Sequence, residues 1–404
     1  MNAPRAVGRA PVPGNPETGV EPGDEAPQAE APADRETLAP ADTDSGEPPA
    51  PEIDAGPGDT PEDDPEPTVA EQPEPRTQPR PEWWRHDNER WIVGDAGRQP
   101  EVVPLPSTAI AATRPDTVVD GGRVGGLDFR ATSTRGLGHQ QAGTPRQDAY
   151  LVRPSRDGRW LVGCVADGVS EGRRSHEAAD LVCHTVSRVL LDGLAATRPE
   201  DLGDWQSAVE RLPWQEAVDA ASAAVVRAAH AAMQAVYRRR GDVESLASLE
   251  DAPLPEAAAR TVMSSTAVAF LVSTAADSTG GHPFALTVAA GDSSALRLAA
   301  GAWHPLSEVK NAGADIASSA VRPLPRAVRT QPTSGVLRPG EALAVITDGL
   351  GDPMGAGQGV VGRFLADRWR TPPDLLAFAQ HVAFYRRTFT DDRTAVVVWV
   401  DADR

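Results

Sequence analysis

The chain contains 404 residues with 58 acidic and 39 basic side chains, which gives a formal net charge of −19 at pH 7. Lys310 is the only lysine and the arginines are scattered, so no basic patch suited to nucleic acid is present. The N-terminus lacks the pattern of a secretory signal and no apolar run is long enough to span a bilayer, so we expect a cytoplasmic protein without nucleic-acid or membrane partners.

The first fifth of the chain is acidic and rich in proline. Residues 1–80 hold 19 acidic against 5 basic side chains and 18 of the 38 prolines. Such a stretch has little apolar surface to bury, so it cannot offset the entropy that is lost on ordering. We predict a disordered acidic tail over 1–80, for which the sequence indicates no partner. A linker is predicted over 81–125, where Trp83, Trp84 and Trp91 either pack loosely on the domain or dock a partner protein.

A single folded domain is predicted over 126–404. Strand patterns occur at 127–132, 149–153, 160–166, 266–273, 284–289, 294–299, 342–347 and 394–400. Helical spacing of apolar residues occurs at 174–191, 214–237, 360–369 and 374–387. A polar loop is expected over 238–260. Because several neighbouring strands are joined by short links, the order favours mainly antiparallel sheets covered by helices, which is an α+β fold.

The two cysteines carry no disulfide framework. Cys164 lies in a strand pattern and Cys183 in a helical one, and isolated cysteines in a large chain are typical of reduced, buried thiols. A cysteine phosphatase needs an arginine six positions after its nucleophile. Those positions are Ser170 and Val189, so that class is excluded.

Aspartates begin or end several of the predicted strands. They are Asp148, Asp167, Asp292, Asp348 and Asp391. Two of them, Asp167 and Asp348, precede a glycine and follow an apolar run at equivalent places. Carboxylates held rigidly at strand ends can form an oxygen-only site for hard cations such as Mg²⁺ or Mn²⁺. The pattern therefore indicates a metal-dependent phosphohydrolase.

Six short motifs around these aspartates follow one another in a set order. They are Gln147-Asp148-Ala149, Ala166-Asp167-Gly168, Ser265-Thr266, Gly291-Asp292-Ser293, Thr347-Asp348-Gly349-Leu350-Gly351-Asp352 and Asp391-Asp392-Arg393-Thr394. In this order the chain resembles the type-2C metal-dependent Ser/Thr protein phosphatases, the PPM-type family, over about residues 127–400. The Gln147-Asp148 pair resembles the bacterial branch, which has Gln-Asp where other members have Glu-Asp.

The resemblance implies a fold and a reaction. The fold is a four-layer α-β-β-α sandwich of two antiparallel sheets flanked by helices, with two or three Mn²⁺ or Mg²⁺ ions at one end. The implied reaction is hydrolysis of a phosphoester by a metal-activated water. The implied partners are phosphorylated proteins and the Ser/Thr kinases that produce them, which would make the chain part of bacterial signalling.

The resemblance also assigns roles to single residues. The implied metal site consists of Asp148, Asp167, Gly168, Asp292, Asp348, Asp352 and Asp391. Within it, Asp167 bridges two metals, Asp348 and Asp391 complete the pair, and Asp148 acts from nearby as the fourth catalytic carboxylate. The implied place of Asp292 and Asp352 is a third, weaker ion. We expect Asp392 to be a solvated neighbour of Asp391.

Two positions depart from the family pattern. Gly143 stands where many members carry a phosphate-gripping arginine, so Arg146, or else Arg135, would have to bind the phosphate. Val169 stands where some members have a histidine. These departures keep open a second interpretation, in which the chain is a catalytically weak binding or regulatory module with a phosphatase fold.

A third interpretation comes from the segment 168–172. Its sequence, Gly-Val-Ser-Glu-Gly, satisfies the nucleophile pattern of serine hydrolases, with Ser170 as the nucleophile. That class requires a histidine late in the chain, and the nearest candidate is His381. Since His381 falls in a helical pattern before the last strand, this interpretation is the weakest of the three.

Overall fold

The computed structural model describes residues 84–86, 90–95, 114–170, 172–197, 205–252, 254–307 and 322–401. The predicted tail over 1–80 lies outside these residues. The strands are β1 (Trp84–His86), β2 (Trp91–Val93), β3 (Thr117–Val124), β4 (Leu127–Thr134), β5 (Ala149–Pro154), β6 (Trp160–Ala166), β7 (Ala267–Ser273), β8 (His282–Ala290), β9 (Ser294–Ala299), β10 (Ala302–Pro305), β11 (Thr333–Leu337), β12 (Ala342–Ile346) and β13 (Arg393–Val400). The helices are α1 (Leu137–Ala142), α2 (Ser175–Ala196), α3 (Trp205–Arg211), α4 (Trp214–Arg240), α5 (Val243–Asp251), α6 (Glu256–Arg260), α7 (Asp348–Met354), α8 (Val360–Arg368) and α9 (Leu375–Val382).

Two antiparallel sheets pack against each other. One has the strand order β10-β9-β12-β13-β4-β3 and the other has the order β11-β8-β7-β6-β5. Buried apolar side chains from both sheets, such as Leu161, Phe270 and Val396, form the core between them. Helices α2 and α4 cover the outer face of the five-stranded sheet, while α8 and α9 cover the six-stranded sheet. The four-layer α+β sandwich implied by the resemblance is confirmed.

Strand register brings the ends of several strands to one end of the sandwich. In the five-stranded sheet, Ala149 at the start of β5 pairs with Ala166 at the end of β6. In the six-stranded sheet, Ile346 at the end of β12 pairs with Ala395 near the start of β13. Because antiparallel partners run in opposite directions, the residues just outside these pairs leave the sheets on the same side. The loops that carry the aspartates are therefore neighbours.

Three described parts of the predicted linker over 81–125 form strands, at 84–86, 91–93 and 117–124. Strand β3 pairs along its whole length with β4. Strands β1 and β2 form a hairpin in which Trp84 and Trp91 each pack on Phe364, with ring centroids 5.7 and 5.5 Å apart. The boundary at 126 stays a prediction, and β3, which precedes it, is the edge strand of the six-stranded sheet. Prolines interrupt the apolar pattern of the sequence around these short strands. Their apolar contacts are made with α8, which is distant in the sequence.

Two local predictions need correction for physical reasons. The loop predicted over 238–260 contains α5 and α6, and Asp242 caps α5 by accepting a hydrogen bond from the Ser245 N–H at 3.0 Å. The helix predicted over 374–387 ends at Val382. Beyond it, the buried Arg393 guanidinium donates hydrogen bonds to the carbonyls of Phe384 and Phe389, which holds this segment out of the helix.

Both cysteines are buried free thiols, as predicted, and the Cys183 Sγ lies 3.5 Å from the carbonyl oxygen of Cys164. Across the described ranges, no helix has the length and apolar character that crossing a membrane requires.

His381 should make folding sensitive to acid. Its ring is 6% exposed and lies between the rings of Trp91 and Phe364, at centroid distances of 6.0 and 5.8 Å. Burial, reinforced by the positive charge of Arg368 and opposed by Asp374, lowers the pKa of His381 to about 4. Below its ordinary pKa of about 6.5, the unfolded chain takes up a proton that the folded chain refuses. Stability is therefore lost as the pH falls from 6.5 to 4.

We expect the titration of His381 to lower the free energy of unfolding by about 3 kcal/mol between pH 7 and pH 4. Urea unfolding of the wild type and of His381→Phe at both pH values measures it, since the difference between the two proteins cancels the titration of other groups. The phenyl ring fits the aromatic site and cannot be protonated. An equal loss of stability in both proteins would contradict the prediction.

Candidate metal centre

Two aspartate turns are fixed at the ends of central strands. Asp167 follows the fully buried strand β6, and its N–H donates a hydrogen bond to the Thr266 Oγ1 at 2.8 Å. In return, the Thr266 N–H donates to the Asp167 carbonyl at 2.8 Å. Asp348 is the first residue of α7 and is separated from the end of β12 by Thr347 alone. Each carboxylate is therefore anchored by a strand that the core holds in place.

The turn between β8 and β9 brings a third carboxylate to the same place. Gly291 has φ 88°, and a Cβ there would lie 2.2 Å from the Thr266 Cγ2, so only glycine fits this approach. On the other side of Asp292, the Ser293 hydroxyl lies 3.0 Å from the Thr266 hydroxyl. Thr266 thus ties the Asp167 loop to the Asp292 loop. The sequence analysis assigned Thr266 to a motif but gave it no role.

The three carboxylates form a compact group. One ligand oxygen from each of Asp167, Asp292 and Asp348 lies within 4.8 Å of the others. The group draws on both sheets, since β6 belongs to one and β12 to the other. The resemblance implied that Asp292 serves a weaker third ion, whereas the structure places it directly with Asp167 and Asp348. An oxygen-only set of this kind matches the preference of Mg²⁺ and Mn²⁺.

Asp148 is a buried neighbour of this group. It is 1% exposed, and its Oδ2 accepts a hydrogen bond from the Thr347 hydroxyl at 2.8 Å. Burial, followed by the charges of Asp392 and Asp391, raises the pKa of Asp148 to about 8. Burial and the neighbouring carboxylates, Asp148 first, raise the pKa of Asp167 well above its usual range. A divalent cation would relieve this mutual repulsion, so the residues present fit a metal centre.

Asp391 and Asp352 line the open side of the site. Both are exposed, and with Asp348 and Gly349 they border a cavity of about 230 Å³. Asp391 is near enough to Asp167 for its charge to raise the pKa of that carboxyl. Its closest grouping of ligand atoms, however, is with His139 and Asp392 rather than with Asp167 and Asp348. Asp391 thus shares the cavity with Asp348 but stands outside the compact group.

Asp392 is buried, which contradicts the expectation of a solvated neighbour. It is 2% exposed, its Oδ1 accepts a hydrogen bond from the Gly136 N–H at 2.6 Å, and the same oxygen pairs with the His139 Nδ1 at 2.9 Å. Its Oδ2 accepts from the Gln147 N–H. Burial lowers the pKa of His139, but the hydrogen bond to Asp392 and the surrounding carboxylates outweigh burial and raise it. Asp392 therefore connects the loops that carry Asp391 and Asp148.

Arg146 does not present its charge to the open cavity. It is 5% exposed, and one guanidinium nitrogen donates hydrogen bonds to the Asp148 carbonyl at 2.7 Å and to the Ser133 hydroxyl. Arg114 donates to the same carbonyl at 2.7 Å. The phosphate-binding role of Arg146 stays a prediction, and these hydrogen bonds engage one end of its guanidinium group within the protein. The alternative, Arg135, is 3% exposed and paired with Asp116 at 3.2 Å.

Ser170 and His381 are not arranged as a catalytic pair. Ser170 is exposed in the turn after Gly168, whereas His381 is enclosed by Trp91 and Phe364 in the helical layer on the six-stranded sheet. A nucleophile and its general base must lie within hydrogen-bonding reach of each other. The serine-hydrolase interpretation therefore has no geometric support.

Comparison with known proteins gives one family match. A family model described as "Protein phosphatase 2C" matches residues 135–383. Curated proteins gave no match.

The chain is similar to several solved structures. One is the catalytic domain of the serine/threonine protein phosphatase PstP in complex with two manganese ions. It is 18% identical with a TM-score of 0.39, and the match covers 68% of this chain and 98% of that one. A Ser/Thr phosphatase from Mycobacterium smegmatis in complex with cacodylate has 18% identity, TM-score 0.38, and coverage of 67% and 97%. The S. agalactiae serine/threonine phosphatase has 14% identity, TM-score 0.38, and coverage of 70% and 100%.

Proposed function

Because the chain belongs to the protein phosphatase 2C family, we propose that its group of aspartates is the metal centre at which phosphoserine and phosphothreonine esters are hydrolysed. The chain is a metal-dependent protein phosphatase. The observation that carries the site assignment is the convergence of Asp167, Asp292 and Asp348 within 4.8 Å of one another. Mn²⁺ or Mg²⁺ fits this donor set, and PstP, which the chain resembles, holds two manganese ions.

Each part of the proposed centre has a distinct task. Asp167, Asp292 and Asp348 would hold the cations, and Asp391 and the exposed Asp352 would complete the ligand set from the side of the cavity. When bound, the cations lower the pKa of water and neutralise charge on the phosphoryl oxygens. Asp148 accepts a hydrogen bond from Thr347 at 2.8 Å, which fixes its carboxylate beside Asp167. In this position, Asp148 can accept a hydrogen bond from the attacking water and orient it.

The carbonyl oxygen of Gly168 is a further proposed ligand. Gly168 pairs with Ser265 in an antiparallel bridge, which fixes the backbone on the far side of Asp167. A Cβ at this position would lie 2.7 Å from the backbone of Ser175 and 2.8 Å from the Gln147 carbonyl oxygen. The turn therefore packs too closely for any larger residue. This packing supports a rigid Asp167-Gly168 pair.

The substrates are phosphoproteins, as the family implies, and we propose that Ser/Thr kinases of the same cell produce them. Retention of the full carboxylate group argues against the binding-module interpretation, because a protein without chemistry has no need of buried acids that repel one another. Because Gly143 and Val169 lack the side chains of other family members, we infer that phosphate binding and leaving-group protonation use other groups here. A cytoplasmic location stays a prediction from the sequence.

Removal of the cation tests the proposal. The wild type with Mn²⁺ should hydrolyse an aryl phosphate and a phosphothreonine peptide, and excess chelator should reduce both rates to background. Restoring Mn²⁺ should restore them. Ser170→Ala is the matched control and should keep the wild-type rate. Hydrolysis that persists in chelator, or that disappears in Ser170→Ala, would contradict the metal centre.

A further inference from the structure

A groove of about 340 Å³ begins next to the metal centre. One wall is the end of β8 together with Gly291, the residue before Asp292. The other wall is the 322–329 segment. Among the described residues, the charged side chains that line the groove are Arg322, Arg326 and Arg329, and no acidic side chain lines it.

The groove is positively charged, whereas the chain as a whole is negatively charged. The whole sequence has a net charge of −19, yet three arginines meet here within eight positions. Arg322 and Arg329 are exposed and Arg326 is half-buried. In the part of the chain that the structure describes, none of the three forms an ion pair. Their charge is therefore available to an external anion.

The arginine segment is held firmly against the loop that carries Asp167. Leu324 is fully buried and exchanges backbone hydrogen bonds with Ser265, at 3.2 and 2.9 Å, and Ser265 also pairs with Gly168. The Arg326 N–H donates a hydrogen bond to the Ser222 hydroxyl at 3.0 Å. The backbone beneath the guanidinium groups is thus fixed before any ligand arrives, which lowers the entropic cost of binding.

We propose that this groove binds carboxylate side chains that flank the phosphorylated residue of a substrate protein. The inference rests on the proposed function, which places the phosphoryl group at Asp167, Asp292 and Asp348. An extended peptide advances about 3.3 Å per residue, so side chains within about four positions of the phosphoresidue reach a groove that starts beside Asp292. Arginine binds carboxylates in a planar, two-pronged geometry. The preferred substrates are therefore phosphoproteins with acidic residues near the phosphorylation site.

Steady-state kinetics with two peptides tests the inference. One phosphothreonine peptide carries three glutamates near the phosphoresidue, and the other carries glutamine at the same positions. We expect the wild type to show about tenfold higher kcat/KM for the glutamate peptide, as a few exposed charge pairs contribute together. The double variant Arg322→Ala/Arg329→Ala should abolish this preference while leaving aryl phosphate hydrolysis unchanged. The preference should also shrink as salt is added.

The control variant is Arg156→Ala. Arg156 is an exposed arginine in the turn between β5 and β6, and β6 carries Asp167 at its other end. Removing it changes the net charge without touching the groove, so the preference for the glutamate peptide should remain. An equal kcat/KM for the two peptides, or a preference that survives in Arg322→Ala/Arg329→Ala, overturns the inference.

A binding measurement separates this inference from the proposed function. In the Asp167→Asn background, fluorescence anisotropy should show the glutamate peptide binding about tenfold more tightly than the glutamine peptide. Adding Arg322→Ala/Arg329→Ala should make the two affinities equal. Absence of Mn²⁺-dependent aryl phosphate hydrolysis by the wild type would overturn the proposed function. The binding comparison would still show whether the groove prefers the glutamate peptide. Equal affinities in the Asp167→Asn protein overturn the inference.

Discussion

Replacing Asp167 by asparagine should reduce kcat by at least about 10³-fold, which corresponds to about 4 kcal/mol of lost transition-state stabilisation. Asp167 belongs to the group formed with Asp292 and Asp348, and the charge of Asp148 raises its pKa. Asparagine has the same shape, and the Thr266 contacts to the Asp167 backbone do not depend on the side chain. The variant should therefore fold normally and lose the charge that holds the cations.

Thermal melting distinguishes a lost metal site from a damaged fold. Burial and neighbouring carboxylates raise the pKa of Asp167, so removing its charge relieves repulsion in the metal-free protein. In chelator, Asp167→Asn should melt at the wild-type temperature or above it. Added Mn²⁺ should stabilise the wild type by mass action and leave the variant unchanged.

The control is Asp192→Asn, which removes an exposed carboxylate on α2 that is paired with Arg188 at 3.5 Å. It should keep both the activity and the Mn²⁺-dependent stabilisation. An Asp167→Asn protein that retains a tenth of the wild-type activity, or that still gains stability from Mn²⁺, would remove Asp167 from the metal centre.

The strands that carry the aspartates could be predicted from sequence because each is a short apolar run followed by a turn residue. The run before Asp167 and the run before Asp348 match β6 and β12 to within one residue. The α5 helix was missed although Asp242 and Ser245 stand at capping distance in the sequence, a signal that could have been found. The β1–β2 hairpin offers no such signal, because its strands are three residues long and depend on contact with Phe364.

The sequence could not predict whether a polar side chain points into the protein or into solvent. Arg146 and Arg322 are alike as residues, yet one is buried against the Asp148 carbonyl and the other is exposed in a groove. The difference arises from strand β4, which supplies Ser133 as a second acceptor for Arg146. Asp391 and Asp392 are adjacent and chemically identical, and only the fold decides that the second one is enclosed. Whether such a carboxylate is buried depends on backbone hydrogen-bond donors that are distant in the sequence. No local sequence pattern reveals them.

Replacing Asp392 by alanine should destabilise the protein by about 3–5 kcal/mol, since a buried charge with several partners is lost. Its carboxylate accepts hydrogen bonds from the backbone N–H groups of Gly136 and Gln147 and forms an ion pair with the His139 ring. Without it, two buried N–H groups lose their acceptor. The loop before Asp148 and the loop of Asp391 then lose their common anchor, so we expect kcat to fall by about 10²-fold as well.

The close packing around this residue allows a graded test. A Cβ on Gly349 would lie 1.9 Å from the Asp392 carbonyl oxygen, so the backbone here is already in contact with the Asp348 turn. Asp392→Asn keeps one side-chain acceptor and should lose about half as much stability as Asp392→Ala in urea unfolding at pH 7. Asp391→Asn alters the exposed neighbour and should change activity with little effect on unfolding. Equal stability of Asp392→Ala and the wild type would show that the anchor is not needed, because the Gly136 and Gln147 donors would then have found water instead.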